Sequence, residues 1–254
     1  MIIVRKSEER RHIQDKEHKT WMTFDQENEA DPLQNGFGML KILNEEILPP
    51  GSGFTLRTDK DMIIVTYVRE GMLIHIGPLE KPDSIETKEF QQSTITPGTK
   101  QYAFNVSQSE DAHVFQSGFT PSEGVLKSDV AKKLFTHAER KGILKLIASS
   151  DGREGSLLIK QDVQMYSTLI NKGNHMIHEL YPGRNAWLHV VKGQLLLNGH
   201  QLKTGDGAGL SNEISVSFTA EESTEILLFD LGGQIPTEIK TNPQSKLEPA
   251  GLNS

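Results

Sequence analysis

The sequence has no cysteine among its 254 residues. Disulfides and thiolate ligands are therefore excluded, and any bound metal would have to rest on His, Asp, Glu, backbone or water. Aromatic residues are scarce, at 6 % with two tryptophans, and no apolar run approaches the ~20 residues that a membrane-spanning helix needs. The amino terminus, "MIIVRKSEERR", turns charged after four apolar residues, too few for the apolar heart of a secretion signal. Positive charge is not in excess either: 27 Lys and Arg against 34 Asp and Glu leave a formal charge of −7, spread along the chain. That argues against nucleic acid and anionic membranes as direct partners. The expectation is a cytoplasmic protein.

What is present is short apolar or alternating segments punctuated by Gly, Pro, Asn and Asp, the pattern of antiparallel β structure. In "EISVSFTA", Ile214, Val216 and Phe218 alternate with Ser215, Ser217 and Thr219, predicting a strand with one wet face. "DMIIVTYV" and "EILLFDL" are apolar on both faces and predict strands covered on both sides. One segment departs from the pattern. In "SDVAKKLFTHAERKG", Val130, Leu134, Phe135 and Ala138 share a helical stripe, Asp129 stands as N-cap, basic residues crowd the end and Gly142 follows. The spacing predicts a short helix there. From Gly232 onward, "GGQIPTEIKTNPQSKLEPAGLNS" has few large apolar residues and predicts a loosely held tail.

The β regions repeat. "YVREGMLI" (Tyr67 to Ile74) resembles "HVVKGQLL" (His189 to Leu196), each a strand, a charged residue, a Gly turn and a second strand. "LPPGSG" and "LYPGRN" precede them, and "ETKEF" and "KTGDG" follow. This order is a signature of a duplicated small barrel; two unrelated hairpins with similar turns are the alternative.

Across roughly residues 2 to 231 the chain resembles the pirin family of the cupin superfamily. "VRKSEERRH" with "TWMTF", then "GFGMLKILNEEILPPGSGF" and "DMIIVTYVREG", follow the amino-terminal pattern. "LIASSDGREGSLLIKQDV", "HELYPGRNAWLHVVKGQLLLNG", "LKTGDGAGLS" and "EILLFDL" follow the carboxy-terminal one. The resemblance implies an all-β bicupin of two jelly-roll (double-stranded β-helix) barrels. Its divisions are a first barrel over 1–125, a linker with the short helix over 126–142, a second barrel over 143–231 and the tail over 232–254. It also implies an amino-terminal metal, usually iron, held by three histidines and a glutamate. Several pirins open quercetin as dioxygenases, and others act as protein partners in regulation.

The first two family ligands form a His-x-His pair just ahead of "KDM", where Arg57 and Asp59 stand. The other two belong to a His-Ser-Glu-Tyr-Asn stretch over which "QYAFN" aligns, placing Gln101 for the His and Ala103 for the Glu; another register offers Ala103 and Asn105. Alternate strand residues share a face, so Arg57 and Asp59 are expected to point inward together. Asp59 can ligate; Arg57 cannot, because its guanidinium stays protonated. The expectation is thus no metal cofactor, with Arg57 paired to Asp59 or to pocket groups in the cation's place, or else simply solvated. A cavity anchored by Arg57 would suit an aromatic or anionic small molecule.

A weaker alternative metal set is Asp59, His75 and His113. His175, His178 and Glu179 make a poor chelate, since strand residues three apart face opposite sides. "SSDGREG" and "TGDGAG" read as β-turns and not as phosphate loops, lacking the Lys-Ser/Thr spacing. Trp21 and Trp187 are expected to pack barrel walls. Two functions follow: a metal-free, non-catalytic bicupin that binds a protein partner or small ligand, or a metal-dependent quercetin 2,3-dioxygenase-type oxygenase with non-standard ligands.

Overall fold

The computed structural model describes residues 1–77, 81–121 and 129–233. The first half carries β1 (Ile2–Arg5), β2 (Arg11–Asp15), β3 (His18–Met22), β4 (Leu40–Leu48), β5 (Gly53–Arg57), β6 (Met62–Glu70), β7 (Met72–Ile76), β8 (Asp83–Glu86), β9 (Glu89–Ile95), β10 (Lys100–Asn105), β11 (Ala112–Phe119) and β12 (Val130–Leu134). After one helical turn, α1 (His137–Arg140), come β13 (Lys145–Ser149), β14 (Leu157–Leu158), β15 (Val163–Ile170), β16 (His175–Glu179), β17 (Asn185–Lys192), β18 (Gln194–Leu197), β19 (His200–Lys203), β20 (Gly207–Ser211), β21 (Ser215–Ala220) and β22 (Thr224–Leu231).

These strands build two barrels, each a seven-stranded sheet packed on a four-stranded one. The large sheets run β12-β9-β6-β11-β4-β3-β2 and β1-β20-β17-β22-β15-β13-β14. The small ones run β5-β10-β7-β8 and β16-β21-β18-β19. From β15 to β22 the second barrel repeats the order of neighbours that β4 to β11 have in the first. Tyr67–Ile74 and His189–Leu196 occupy corresponding places, each turning at a glycine with positive φ, 81° at Gly71 and 97° at Gly193. A side chain there would be strained, and at Gly193 it would also meet the Ser223 carbonyl at 2.5 Å.

The edge strands are exchanged. β1, which precedes the first barrel, pairs antiparallel with β20 of the second. β12, which precedes the second, pairs antiparallel with β9 of the first. Ile2–Arg5 therefore extends the second barrel's sheet, although it comes first in the chain. The buried carboxylate of Asp206 fastens this exchange. It accepts from the backbone N–H of Ser7 at 2.7 Å and of Lys203 at 3.1 Å, and from Lys6 Nζ at 3.2 Å. Of "TGDGAG", only the start is a turn; Gly207–Ser211 is strand. In "SSDGREG", Asp151 accepts from the Arg153 backbone at 3.2 Å, and Arg153–Gly155 is a 3-10 turn.

The helix predicted across Asp129–Ala138 is largely replaced by β12. Val130–Leu134 is extended along β9, and the Asp129 carbonyl accepts from Thr94 N instead of capping a helix. The true helix is a single turn capped by Thr136, whose hydroxyl accepts from Glu139 N while the Glu139 carboxylate accepts from Thr136 N. "EISVSFTA" forms β21 with Val216 and Phe218 buried, but Ile214 lies before the strand and is 86 % exposed. Of the predicted tail, residues 234–254 lie outside the described residues, as does 122–128 of the expected domain boundary.

The barrels meet along an apolar seam drawn from both. Trp187 is fully buried there, edge-on to Phe24 at 5.0 Å and beside Phe37 at 5.4 Å. Trp21, by contrast, stacks on His12 at the outer strands β2 and β3. Through the seam runs a chain of charges. Arg140, fully buried, donates to Glu225 Oε1 and Ser167 Oγ, each at 2.9 Å, and to Tyr67 Oη at 3.1 Å. Tyr67 donates to the same Glu225 oxygen at 2.6 Å, and Arg69 Nε to the other at 3.1 Å. Arg69 also reaches His113 Nδ1, whose Nε2 donates to Glu45 at 2.9 Å; Glu45 in turn accepts from Arg10 at 2.7 Å.

Burial alone would raise the Glu225 carboxyl, but the Tyr67 hydrogen bond and the Arg140 and Arg69 charges outweigh it and hold it below the usual carboxylate value. Glu45 is likewise opposed by burial, yet His113 and Arg10 bring it to about 2. His189, on β17 facing this seam, is fully buried, with neither ring nitrogen hydrogen-bonded among the described residues. Burial first, and then the Arg10 charge, depress it to about 3, with Glu45 opposing.

Two outcomes follow. Glu225→Gln keeps the shape but leaves Arg140 without its counter-charge, and is expected to cost about 3–5 kcal/mol in urea unfolding. Tyr67→Phe should cost less, about 1–3 kcal/mol, and the reverse order would contradict this account of the seam. For pH, an unfolded His189 takes a proton near 6.5 and the folded one only near 3. Between those values the unfolded state binds more protons, so stability falls as pH falls. Glu45 acts in the same sense between 4.5 and about 2. Melting temperature is expected to drop from about pH 6.5 downward, and His189→Leu to flatten the upper part of that slope; an unchanged slope would clear His189.

Candidate functional site

The two barrel interiors differ in chemistry. The second is filled by apolar side chains such as Leu188, Val190, Leu195, Phe218, Ile226 and Leu228. In the first, the apolar cluster is small, around Leu48, Val68, Leu73, Ile85, Ala103 and Val114. Beyond it a polar row crosses β9, β6, β11 and β4, where Gln91 opposes Thr66, Thr66 opposes Gln116 and Gln116 opposes Asn44. The Nε2 groups of Gln91 and Gln116 are buried without a partner among the described residues. Unpaired buried amides are costly, so the first barrel has the interior suited to polar contents.

Around this interior lie the four positions that the resemblance aligns with the family's ligands. Gln101 and Ala103 do face inward from β10. Gln101 is buried, donates to the Thr94 carbonyl at 3.0 Å and meets His75 Nε2 at 3.3 Å. Ala103 lies in the apolar cluster, opposite Phe54 on one side and His75 on the other. Asn105, offered by the other register, is held by its amide to the Leu48 and Glu110 carbonyls.

Arg57 corrects the expectation. It ends β5 directly opposite Lys100, while its neighbour Leu56 opposes Gln101. Direct cross-strand partners share a side, so Leu56 takes the inner side and Arg57 the outer. Asp59 follows in the turn, exposed like Arg57, and the side chains of the two are not ion-paired. The guanidinium therefore does not occupy a cation position inside the barrel.

The weaker set of Asp59, His75 and His113 is not brought together. His75 is buried inside the barrel, whereas His113 faces the interbarrel seam and is bound to Glu45. Among the described residues no three His, Asp or Glu side chains are grouped to hold a metal ion. In the second barrel, His175 engages Thr219 at 2.9 Å on the outer face and His178 engages Asp230 at 2.8 Å, the opposite-facing arrangement expected of β16.

At the mouth of the first barrel lies a cleft of about 500 Å³. Ile42 and Met62 give it an apolar wall, and Arg57, Asp59, Thr99 and Lys100 form its rim. A second hollow of about 250 Å³ adjoins it, sharing Gln26 and Ile42 and adding Met22, Phe24 and Lys41. Desolvation lowers the Lys41 ammonium pKa. The first volume lies within the range of small-molecule pockets, roughly 300–1,000 Å³, and the second extends it. Lys100, Ile42 and Met62 carry no local signature in the sequence; only the β5–β10 register and the barrel's closure bring them beside Arg57.

The family ligand positions test poorly for a metal. Of the four, one is a cation on the rim, one an exposed carboxylate in a turn, one an amide already engaged and one a methyl group. No helix among the described residues is long and apolar enough to cross a membrane.

Residues 146–231 match the family model of the quercetinase C-terminal cupin domain. The chain is 32% identical over 231 residues to quercetin 2,3-dioxygenase of Escherichia coli strain K12, covering 91% of this chain and 99% of that one. A pirin-like protein of Caulobacter vibrioides is 26% identical over 201 residues, covering 79% and 86%. Among solved structures, YhhW from Escherichia coli superposes with a TM-score of 0.85 at 32% identity, over 92% of this chain and 98% of that one. The nickel(II) complex of the same bacterial pirin gives 0.84, over 92% and 100%. With the duplicated barrels already in view, these matches place the chain in the pirin family of bicupin proteins.

Proposed function

We propose that this pirin works without the family metal, as a non-catalytic module whose first barrel binds a small aromatic or anionic ligand or supports a protein partner in a regulatory role. The observation that carries this reading is the fate of the four ligand positions. A cupin metal needs imidazoles and a carboxylate converging on an open coordination site. Here Arg57 and Asp59 lie on the exposed rim, Gln101 is committed to Thr94 and His75, and Ala103 offers no donor. A cation brought to the rim would also meet Arg57 and Lys100. At ~4 Å and an effective dielectric near 20, each contributes repulsion of several kcal/mol.

The relatives named quercetin 2,3-dioxygenase favour a second reading, a metal-dependent oxygenase with unusual ligands. One measurement separates the two. Purified protein incubated anaerobically with Fe(II), then freed of loose ions, is expected to retain well under one metal per chain by mass spectrometric metal analysis. Near-stoichiometric retention, accompanied by oxygen uptake with quercetin, would replace the first reading with the second.

A further inference from the structure

Arg57 and Lys100 form a pair that folding alone does not explain. They stand directly opposite each other on adjacent antiparallel strands, a place where like charges destabilise a sheet. Neither side chain has a hydrogen-bond or ion-pair partner among the described residues, and Asp59, on the same rim, does not neutralise them. Every other arginine among the described residues has a carboxylate partner, as Arg10 has Glu45, Arg140 has Glu225 and Arg184 has Asp230. Arg57 is the exception, and with Lys100 it sits on the rim of the cleft of about 500 Å³, next to the apolar wall of Ile42 and Met62.

We infer that Arg57 and Lys100 form a two-pronged clamp for the acidic head of an amphipathic small molecule, whose apolar body lies along Ile42 and Met62. The Arg57 fork suits a planar carboxylate and Lys100 adds a mobile point charge. Asp59 accepts a hydrogen bond from a hydroxyl or N–H on the same ligand, which selects against molecules that carry a second acid there. The cleft's volume admits one or two fused or linked rings or a medium-length chain. This deepens the ligand-binding reading above and rests on it, but it does not require the barrel to be metal-free.

The probe is 1-anilinonaphthalene-8-sulfonate, an aromatic body with one anionic group, titrated by fluorescence against the full chain. Its neutral counterpart, N-phenyl-1-naphthylamine, serves as the charge control. The expected result is one saturable site for the sulfonate. That affinity should fall at least about tenfold, or ~1.4 kcal/mol, in Arg57→Gln/Lys100→Gln, and the neutral compound should bind the parent protein at least about as weakly. Lys203→Gln, which alters a cation in a separate hollow beside the second barrel, should leave the affinity unchanged. As a check that the variant folds, Lys100→Gln should melt at or above the parent temperature, because it relieves a like-charge opposition.

Undiminished binding by the double variant, equal binding of the neutral compound, or the lack of a saturable site would each overturn the clamp. Repeating the titration on iron-treated protein keeps the two proposals apart. Retained iron with clamp-dependent binding sinks only the metal-free reading, and no iron with clamp-independent binding sinks only the clamp.

Discussion

The buried carboxylate of Glu225 is the point on which the arrangement of the two barrels depends. It comes from β22 of the second barrel, while Tyr67 and Arg69 come from β6 of the first and Arg140 from the turn of helix between them. A charge taken out of water is costly unless its partners are in place. Here the partners exist only if all three segments dock in one arrangement. Apolar surfaces tolerate sliding; a fully buried Arg140 with donors committed to Ser167, Glu225 and Tyr67 does not. The seam thus obtains its adhesion from the apolar cluster around Trp187 and its uniqueness from the ion network. The exchanged strands β1 and β12 add a second tie between the barrels, each laid on the edge of the other's large sheet.

Duplication frees one copy of a shared task. The second barrel has become a dry core that supports the seam, whereas the first keeps a polar interior and an open mouth. Buried amides such as Gln91 and Gln116, with donors unpaired among the described residues, cost stability. They lie on the first barrel's inner wall, whereas the second barrel's interior is apolar. The charges are placed in the same sense. Cations in the seam are neutralised by carboxylates, and those on the mouth are not.

Much of the architecture was legible in the sequence because β alternation and turn glycines are local signals. The duplicated "YVREGMLI" and "HVVKGQLL" segments correspond to matching strand pairs, and "EILLFDL" is a central strand buried on both faces. The segment after Asp129 misled because its apolar residues fit a helical stripe over too short a span to exclude a strand. Pairing with the free edge of β9 decided the matter, and helix survived only where Thr136 and Glu139 cap each other. The charge network was invisible for a different reason: Tyr67 and Glu225 are 158 positions apart. No local pattern reports such a pairing.

The site shows the same limit in sharper form. Residue identity alone revealed that Arg57, Asp59, Gln101 and Ala103 differ from a set of metal donors. It did not reveal their directions, because a strand's inward face is set by its partner's register and a shift of one residue inverts it. With Leu56 opposite Gln101, the inner position of β5 is apolar, and the arginine is turned to the rim, opposite Lys100. Among the described residues, the cations at the mouth are unpaired and the amides below them are unsatisfied, and these are the two observations on which the metal-free reading and the anion clamp rest.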